Sequence, residues 1–222
     1  MIKKIPYFLI VLFVLVLILT PFFIKVRIEC KSQYGMCPTE TSTKLFLLNG
    51  KSLFQAKNNV SKILKKDFLV SAFSTQFKLP NILLVNVIVK KPYFAIKNTN
   101  LGNYELVDQK GTILEIADST SLPTILVSEE SQKVGETISE ADLFALNLIA
   151  GINQMYQVGY GTITNDTLVV DMDTGVRVIF PLEGEDSEVL LGAFKLIYTK
   201  VSTNYLGIYS QIDMRYRNPV LR

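Results

Sequence analysis

The stretch IPYFLIVLFVLVLILTPFFI, residues 5–24, constrains this chain more than any other feature. It carries no charge, and at a rise of ~1.5 Å per residue a helix over it reaches across a hydrocarbon core of roughly 30 Å. The run predicts one N-terminal transmembrane helix over residues 5–24, after a cytoplasmic tail of residues 1–4. Lys3 and Lys4 precede it and Lys25 and Arg27 follow, so the flanks nearly balance and the positive-inside rule gives a slight N-in preference. The alternative is a cleaved secretory signal, whose apolar core spans about 7 to 15 residues and ends at a small-x-small site. The segment TPFFIK at residues 20–25 has no such site. On either reading the remainder is exported.

Beyond the run lie about 195 residues, enough for one large domain or two small ones. The net charge of +3 is mild, and no Lys/Arg run exceeds the pairs Lys65-Lys66 and Lys90-Lys91. The electrostatic footprint of a nucleic-acid binder is therefore missing. The chain has no histidine, which removes the usual general base, the commonest metal ligand and any Ser-His-Asp triad. No metal and no cofactor are expected. The two cysteines, Cys30 and Cys37, are separated by KSQYGM. In an exported segment that spacing suggests a local disulfide fixing the turn after the first strand, with two free thiols as the alternative.

Alternation over residues 26–31 predicts a half-buried strand. Pro38-Thr39-Glu40 suits the start of a helix that ends at Asn49-Gly50. A further amphipathic helix follows over residues 52–66, with Leu53, Phe54, Val60, Ile63 and Leu64 apolar. Residues 70–78 and 81–90 alternate on either side of the turn signal Leu79-Pro80-Asn81 and read as a hairpin. The order strand, helix, helix, strand, strand fills a small domain over residues 25–92, with each helix expected to cover one face of a three-stranded sheet.

From residue 93 the pattern changes to short strands over 93–97, 103–108, 112–116 and 124–127, with Asp108-Gln109-Lys110-Gly111 as a hairpin turn. A helix over 139–157 opens on Ser139 with Asp142 three residues on, an approximate capping box. Strands follow over 161–164, 167–172 and 176–181, then a helix over 186–201 and a terminal strand and tail over 209–221. The expected class is α+β: a transmembrane helix, the small β-α-α-β-β domain, and over residues 93–222 a mixed α/β domain with an extended antiparallel sheet and two covering helices.

In this order and spacing the chain resembles the FtsQ/DivIB family of bacterial cell-division proteins, over essentially its whole length. The likeness is carried by Gly50-Lys51-Ser52-Leu53-Phe54, by Leu79-Pro80-Asn81 leading to Lys90-Lys91-Pro92, by YELVDQKG at residues 104–111 with Leu122-Pro123 after it, and by Ile212-Asp213-Met214-Arg215-Tyr216. The small domain resembles a POTRA module, and the larger one is similar to the family's β domain. The resemblance implies a non-enzymatic scaffold of the septal division machinery (divisome). It would sit in the cell membrane as a single-pass type II protein at the septum, among lipid and other septal cell-wall synthesis proteins. Its β domain would bind extracytoplasmic segments of small coiled-coil partners of the FtsB/DivIC and FtsL kind by lending a sheet edge near its C-terminus.

Carried over residue by residue, Arg215 and Tyr216 match the family's Arg-Tyr at the end of the last long strand. The candidate partner-binding edge is Met214, Arg215, Tyr216, Arg217 and Asn218. A terminal strand often lies at a sheet edge, whose free N–H and C=O groups a partner strand satisfies, and Tyr and Arg are enriched in binding hot spots. Without the resemblance the same alternation reads as packing, with Ile212, Met214 and Tyr216 in the core and Asp213 and Arg215 solvated. Asn218-Pro219-Val220 departs from the pattern, because proline donates nothing to a ladder. Two other classes compete. A POTRA-containing secretion or envelope-assembly factor is expected to carry repeated modules or a barrel's worth of strands. An exported enzyme would draw on Asp108, Asp171 and Asp173, each in or beside a turn where Asp is the ordinary residue.

Overall fold

A computed structural model describes residues 10–13, 15, 20–100, 102–128, 132–183, 186–204 and 208–222. The chain is α+β and divides into two compact units, Met1–Lys90 and Lys91–Arg222. The expected transmembrane helix over residues 5–24 needs correction. Its described helical residues are 10–13, 15 and 20–23. Among the described residues no helix is long and apolar enough to cross a membrane, a span that takes about 20 consecutive apolar helical residues. Residues 5–9, 14 and 16–19 of that stretch, and the expected tail 1–4, lie outside the described residues.

The first unit is built on a four-stranded sheet ordered β2-β1-β4-β3. Its strands are β1 (Arg27–Ser32), β2 (Gly35–Met36), β3 (Val70–Lys78) and β4 (Ile82–Val89), and its helices are α1 (Thr39–Phe46) and α2 (Leu53–Lys66). β1 runs parallel to β4, while β3 and β4 form the antiparallel hairpin around Leu79-Pro80. Strand period two puts Val26, Ile28 and Cys30 of one segment and Leu83, Val85 and Val87 of β4 on a single face. Leu45 of α1 and Ala56, Val60 and Leu64 of α2 join them in one core. Both helices therefore cover the same face, not one each. The reason is the short connection over residues 47–52, which keeps α2 beside α1. Ser52 caps α2, its hydroxyl accepting from the Gln55 N–H at 3.4 Å.

β1 turns into β2 through the loop that Cys30 and Cys37 close with a disulfide, Cα atoms 5.8 Å apart. Inside that loop the Gln33 side-chain amide acts as a strand neighbour would. Its Nε2 donates to the Val89 carbonyl at 2.7 Å and its Oε1 accepts from the Val89 N–H at 2.9 Å.

The second unit carries a nine-stranded sheet ordered β13-β12-β11-β10-β9-β8-β5-β6-β7. Its strands are β5 (Phe94–Asn98), β6 (Tyr104–Val107), β7 (Ile113–Ala117), β8 (Thr124–Val127), β9 (Tyr160–Thr164), β10 (Thr167–Asp171), β11 (Arg177–Pro181), β12 (Gln211–Asp213) and β13 (Val220–Leu221). The helices are α3 (Glu140–Tyr156) and α4 (Ser187–Asn204). The expected antiparallel sheet is in fact mixed, because β5/β8, β8/β9 and β11/β12 pair parallel. The helices account for two of these. α3 carries the chain back between β8 and β9, and α4 does so between β11 and β12, so each pair leaves in the same direction.

Ser139 starts α3 as its cap, accepting from the Asp142 N–H at 3.0 Å and donating from its hydroxyl to Asp142 Oδ2 at 2.6 Å. Both helices pack on the sheet face formed by Ile96, Ile125, Leu168, Val170, Val178, Phe180 and Ile212. Phe194 of α4 meets Phe180 edge-on at 5.3 Å and Tyr156 at 5.7 Å. Tyr198 lies 4.8 Å from Tyr156, and its hydroxyl is 2.9 Å from Thr174 Oγ1 in the β10–β11 turn. Gly151 lets the helices approach closely: a Cβ there would collide with the Leu191 side chain.

Candidate partner-binding site

Residues 209–222 form one rim of the large sheet, and the expected terminal strand and tail over 209–221 are two short strands separated by a bend. β12 ends at Asp213, residues 215–218 bend, and β13 returns antiparallel, pairing Ile212 with Leu221 and Asp213 with Val220. Two local causes produce the bend. The Asp213 side chain accepts from the backbone N–H of Arg215 at 3.2 Å, an Asx-type turn, and Pro219 has no N–H for a ladder. The outer edge of β12 is thus taken up by the chain itself. Gln211 and Arg222 exchange both backbone bonds, at 2.9 and 3.0 Å. By antiparallel alternation the N–H and C=O of Leu221 point away from β12, toward the open side.

The five candidate residues separate into two groups. Met214 is 3 % exposed, belongs to the core, and donates its N–H to the Ile179 carbonyl at 2.8 Å. It is packing, as its alternation with Ile212 allows. Arg215, Tyr216, Arg217 and Asn218 are exposed on the bend rather than set in a strand.

Arg215 is held in place from beneath. Asp213, with no exposed surface, accepts from Arg215 Nε at 2.8 Å and from Nη2 at 2.6 Å, a two-pronged pair. The guanidinium carbon stands 5.9 Å from the centroid of the Tyr216 ring, which is 52 % exposed. The Arg215 side-chain bonds hold the Asp213 carboxyl below its ordinary pKa of 3.8, with the Arg215 backbone N–H and the charge of Arg222 adding to this against the cost of burial. Asp213 in turn raises the pKa of Arg215. Alternation alone reads Asp213 as solvated, and the structure buries it. Its spacing of two from Arg215 is that of an Asx-type turn, and that is the sequence signal that pairs them.

Beside β13 lies a groove of about 330 Å³ between α4 and the returning chain, lined by Ile197, Lys200, Val201, Tyr209, Pro219 and Leu221. Of the carboxylates considered for catalysis, Asp108 lies in a different hairpin from Asp171 and Asp173. Asp108 holds the β6–β7 turn, its Oδ1 accepting from the Lys110 and Thr112 N–H groups at 2.8 and 2.9 Å. Asp171 pairs with Arg177 on β11, Oδ1 to Nε at 2.7 Å. Asp173 sits in the β10–β11 turn. Among the described residues no group of His, Cys, Asp or Glu is placed to hold a metal ion. No family model matches this chain, and no curated protein is significantly similar to it.

Proposed function

We propose that this chain is a non-enzymatic scaffold that recruits partner proteins at the rim of its large sheet. Within that class it is a divisome component of the FtsQ/DivIB kind, active at the septum, and its partners are extracytoplasmic segments of FtsB/DivIC-like and FtsL-like coiled-coil proteins. The observation that supports this most is the Arg215 fork fixed on buried Asp213 beside half-exposed Tyr216. Both side chains are of hot-spot type. The buried carboxylate sets the fork before a partner arrives, which lowers the entropy lost on binding. Next to them the outward backbone groups of Leu221 offer hydrogen bonds to an added strand.

The test immobilises the full chain and measures binding of the extracytoplasmic segment of such a partner. Tyr216→Glu is expected to weaken binding by roughly tenfold or more. Thr162→Glu, exposed on β9 away from the rim, is expected to leave it unchanged. Equal binding by Tyr216→Glu and the parent, or no binding by the parent, would sink the reading.

A further inference from the structure

Another surface belongs to the first unit alone. Two loops, the α1–α2 connection and the β3–β4 turn, converge where residues 24–27 enter its sheet. The turn after α1 is tied there by the Gly50 N–H to the Val26 carbonyl at 2.9 Å and the Val26 N–H to the Lys51 carbonyl at 3.0 Å. The start of α2 is tied by the Leu53 N–H to the Ile24 carbonyl at 2.8 Å, and the β3–β4 turn by the Arg27 N–H to the Asn81 carbonyl at 2.8 Å. At this end Phe23, Phe46, Leu47, Phe54 and Leu79 stand between 48 % and 84 % exposed. Phe22 stacks on Phe54 with ring centroids 4.8 Å apart.

Singly, exposed apolar residues mean little; gathered on the loops of one end they mark an interaction surface. The charges around them have one sign. Lys25, Lys51 and Lys78 are all exposed here, and residues 20–28, 44–54 and 75–82, which supply the loops, contain no Asp or Glu. The opposite end, where α2 finishes at Lys66 and meets Asp67, carries both signs.

We propose that this end of the first unit docks on an anionic lipid bilayer. Phe46, Leu47 and Leu79 sit at headgroup depth and Lys25, Lys51 and Lys78 face the lipid phosphates. Aromatic and aliphatic side chains interleaved with lysines suit the boundary between headgroups and acyl chains, where the ring or alkyl body leaves water and the ammonium stays hydrated. A protein groove would have to offer matching acidic groups around an apolar patch made of three separate chain segments. An anionic bilayer presents that combination everywhere along its plane. The uncharged run over residues 5–24 leads directly into this end, and docking on the surface requires no helix that crosses the bilayer.

The test uses the full chain with one cysteine added at Leu79, Leu47 or Lys65, labelled with an environment-sensitive fluorophore and bound to phosphatidylcholine vesicles with or without phosphatidylglycerol. Labels at positions 79 and 47 are expected to be quenched by nitroxide-bearing lipid, and the label at 65, on the far end of α2, is not. The double variant Lys51→Glu, Lys78→Glu is expected to weaken the quenching at 79 roughly tenfold in lipid titrations with phosphatidylglycerol and to melt like the parent. Quenching at 79 and 47 no stronger than at 65, or independent of phosphatidylglycerol, overturns the proposal. So does a photo-crosslinker at position 79 that captures a protein instead of lipid in cells.

Discussion

The two units solve the same problem, burying one face of a sheet under two helices, with different resources. The first has a short sheet and a core of small and branched aliphatics, Val26, Ile28, Val60, Val85 and Val87 among them. It adds a disulfide and the Gln33 amide bridge to hold the far end of β1. The second has nine strands and an interlocked ring cluster of Tyr156, Phe180, Phe194 and Tyr198. Small cores supply little net stability after chain entropy is subtracted, so a cross-link matters more in them. The difference teaches that the first unit is held by a local staple and the second by its packing.

Cutting the ring cluster gives the largest expected effect. Phe194 is fully buried, and Phe194→Ala is expected to cost about 3–5 kcal/mol. Hydrogen exchange should show amides of β10, β11 and α4 losing protection while those of β1 and β4 keep theirs. Equal loss in both units would mean that the cores are not independent, and the contrast would fail. Next comes the staple. Cys30 and Cys37 are seven residues apart, and a loop of that size removes about 2.5 kcal/mol of chain entropy from the unfolded state on the usual model. Replacing both with serine should therefore loosen the first unit by roughly 2 kcal/mol and leave the second as it was. Denaturant midpoints followed by exchange in β1 and β9 separate the two. Loss of protection in β9 would refute the assignment of the staple to one unit.

Much of this architecture is legible because periodicity and punctuation agree along the chain. The alternation of residues 70–78 and 82–89 specifies the hairpin, and Ser139 with Asp142 specifies the cap of α3, since both signals are local. Parallel pairing is not legible, because whether β12 lies beside β11 parallel or antiparallel depends on where α4 sends the chain. The shared helix-covered face of the first sheet escapes the sequence for a related reason. Periodicity shows the apolar stripe of α2, while α1 offers little more than Leu45, and the length of the connection decides which sheet face receives them. At the candidate site a resemblance picks out Arg215 and Tyr216, while Asp213, which fixes the arginine, has the pattern of an ordinary polar position on an alternating strand. Burial of a carboxylate is a tertiary fact, and only its spacing from Arg215 hints at it.

The smallest expected effect sharpens the comparison at the rim, where the second unit adds a charge pair to its packing. The folded-state pKa of Asp213 lies below its unfolded value near 3.8. The pair's contribution is therefore complete above that unfolded value and disappears as the pH falls through the lower folded one. Asp213→Asn keeps an acceptor but loses the charge, and near neutral pH it is expected to lower the melting temperature of the second unit by roughly 3 °C. Lowering the pH from about 6 through the folded-state pKa should shrink the gap between parent and variant, because the parent then loses its carboxylate as well. The Arg215 amide, bonded to Asp213 Oδ1, should exchange faster in the variant near neutral pH and at similar rates in both proteins once the parent is protonated. A gap that stays constant across that range would mean that Asp213 acts through its shape and hydrogen bonds alone, and the rim would then be held by packing like the rest of its unit.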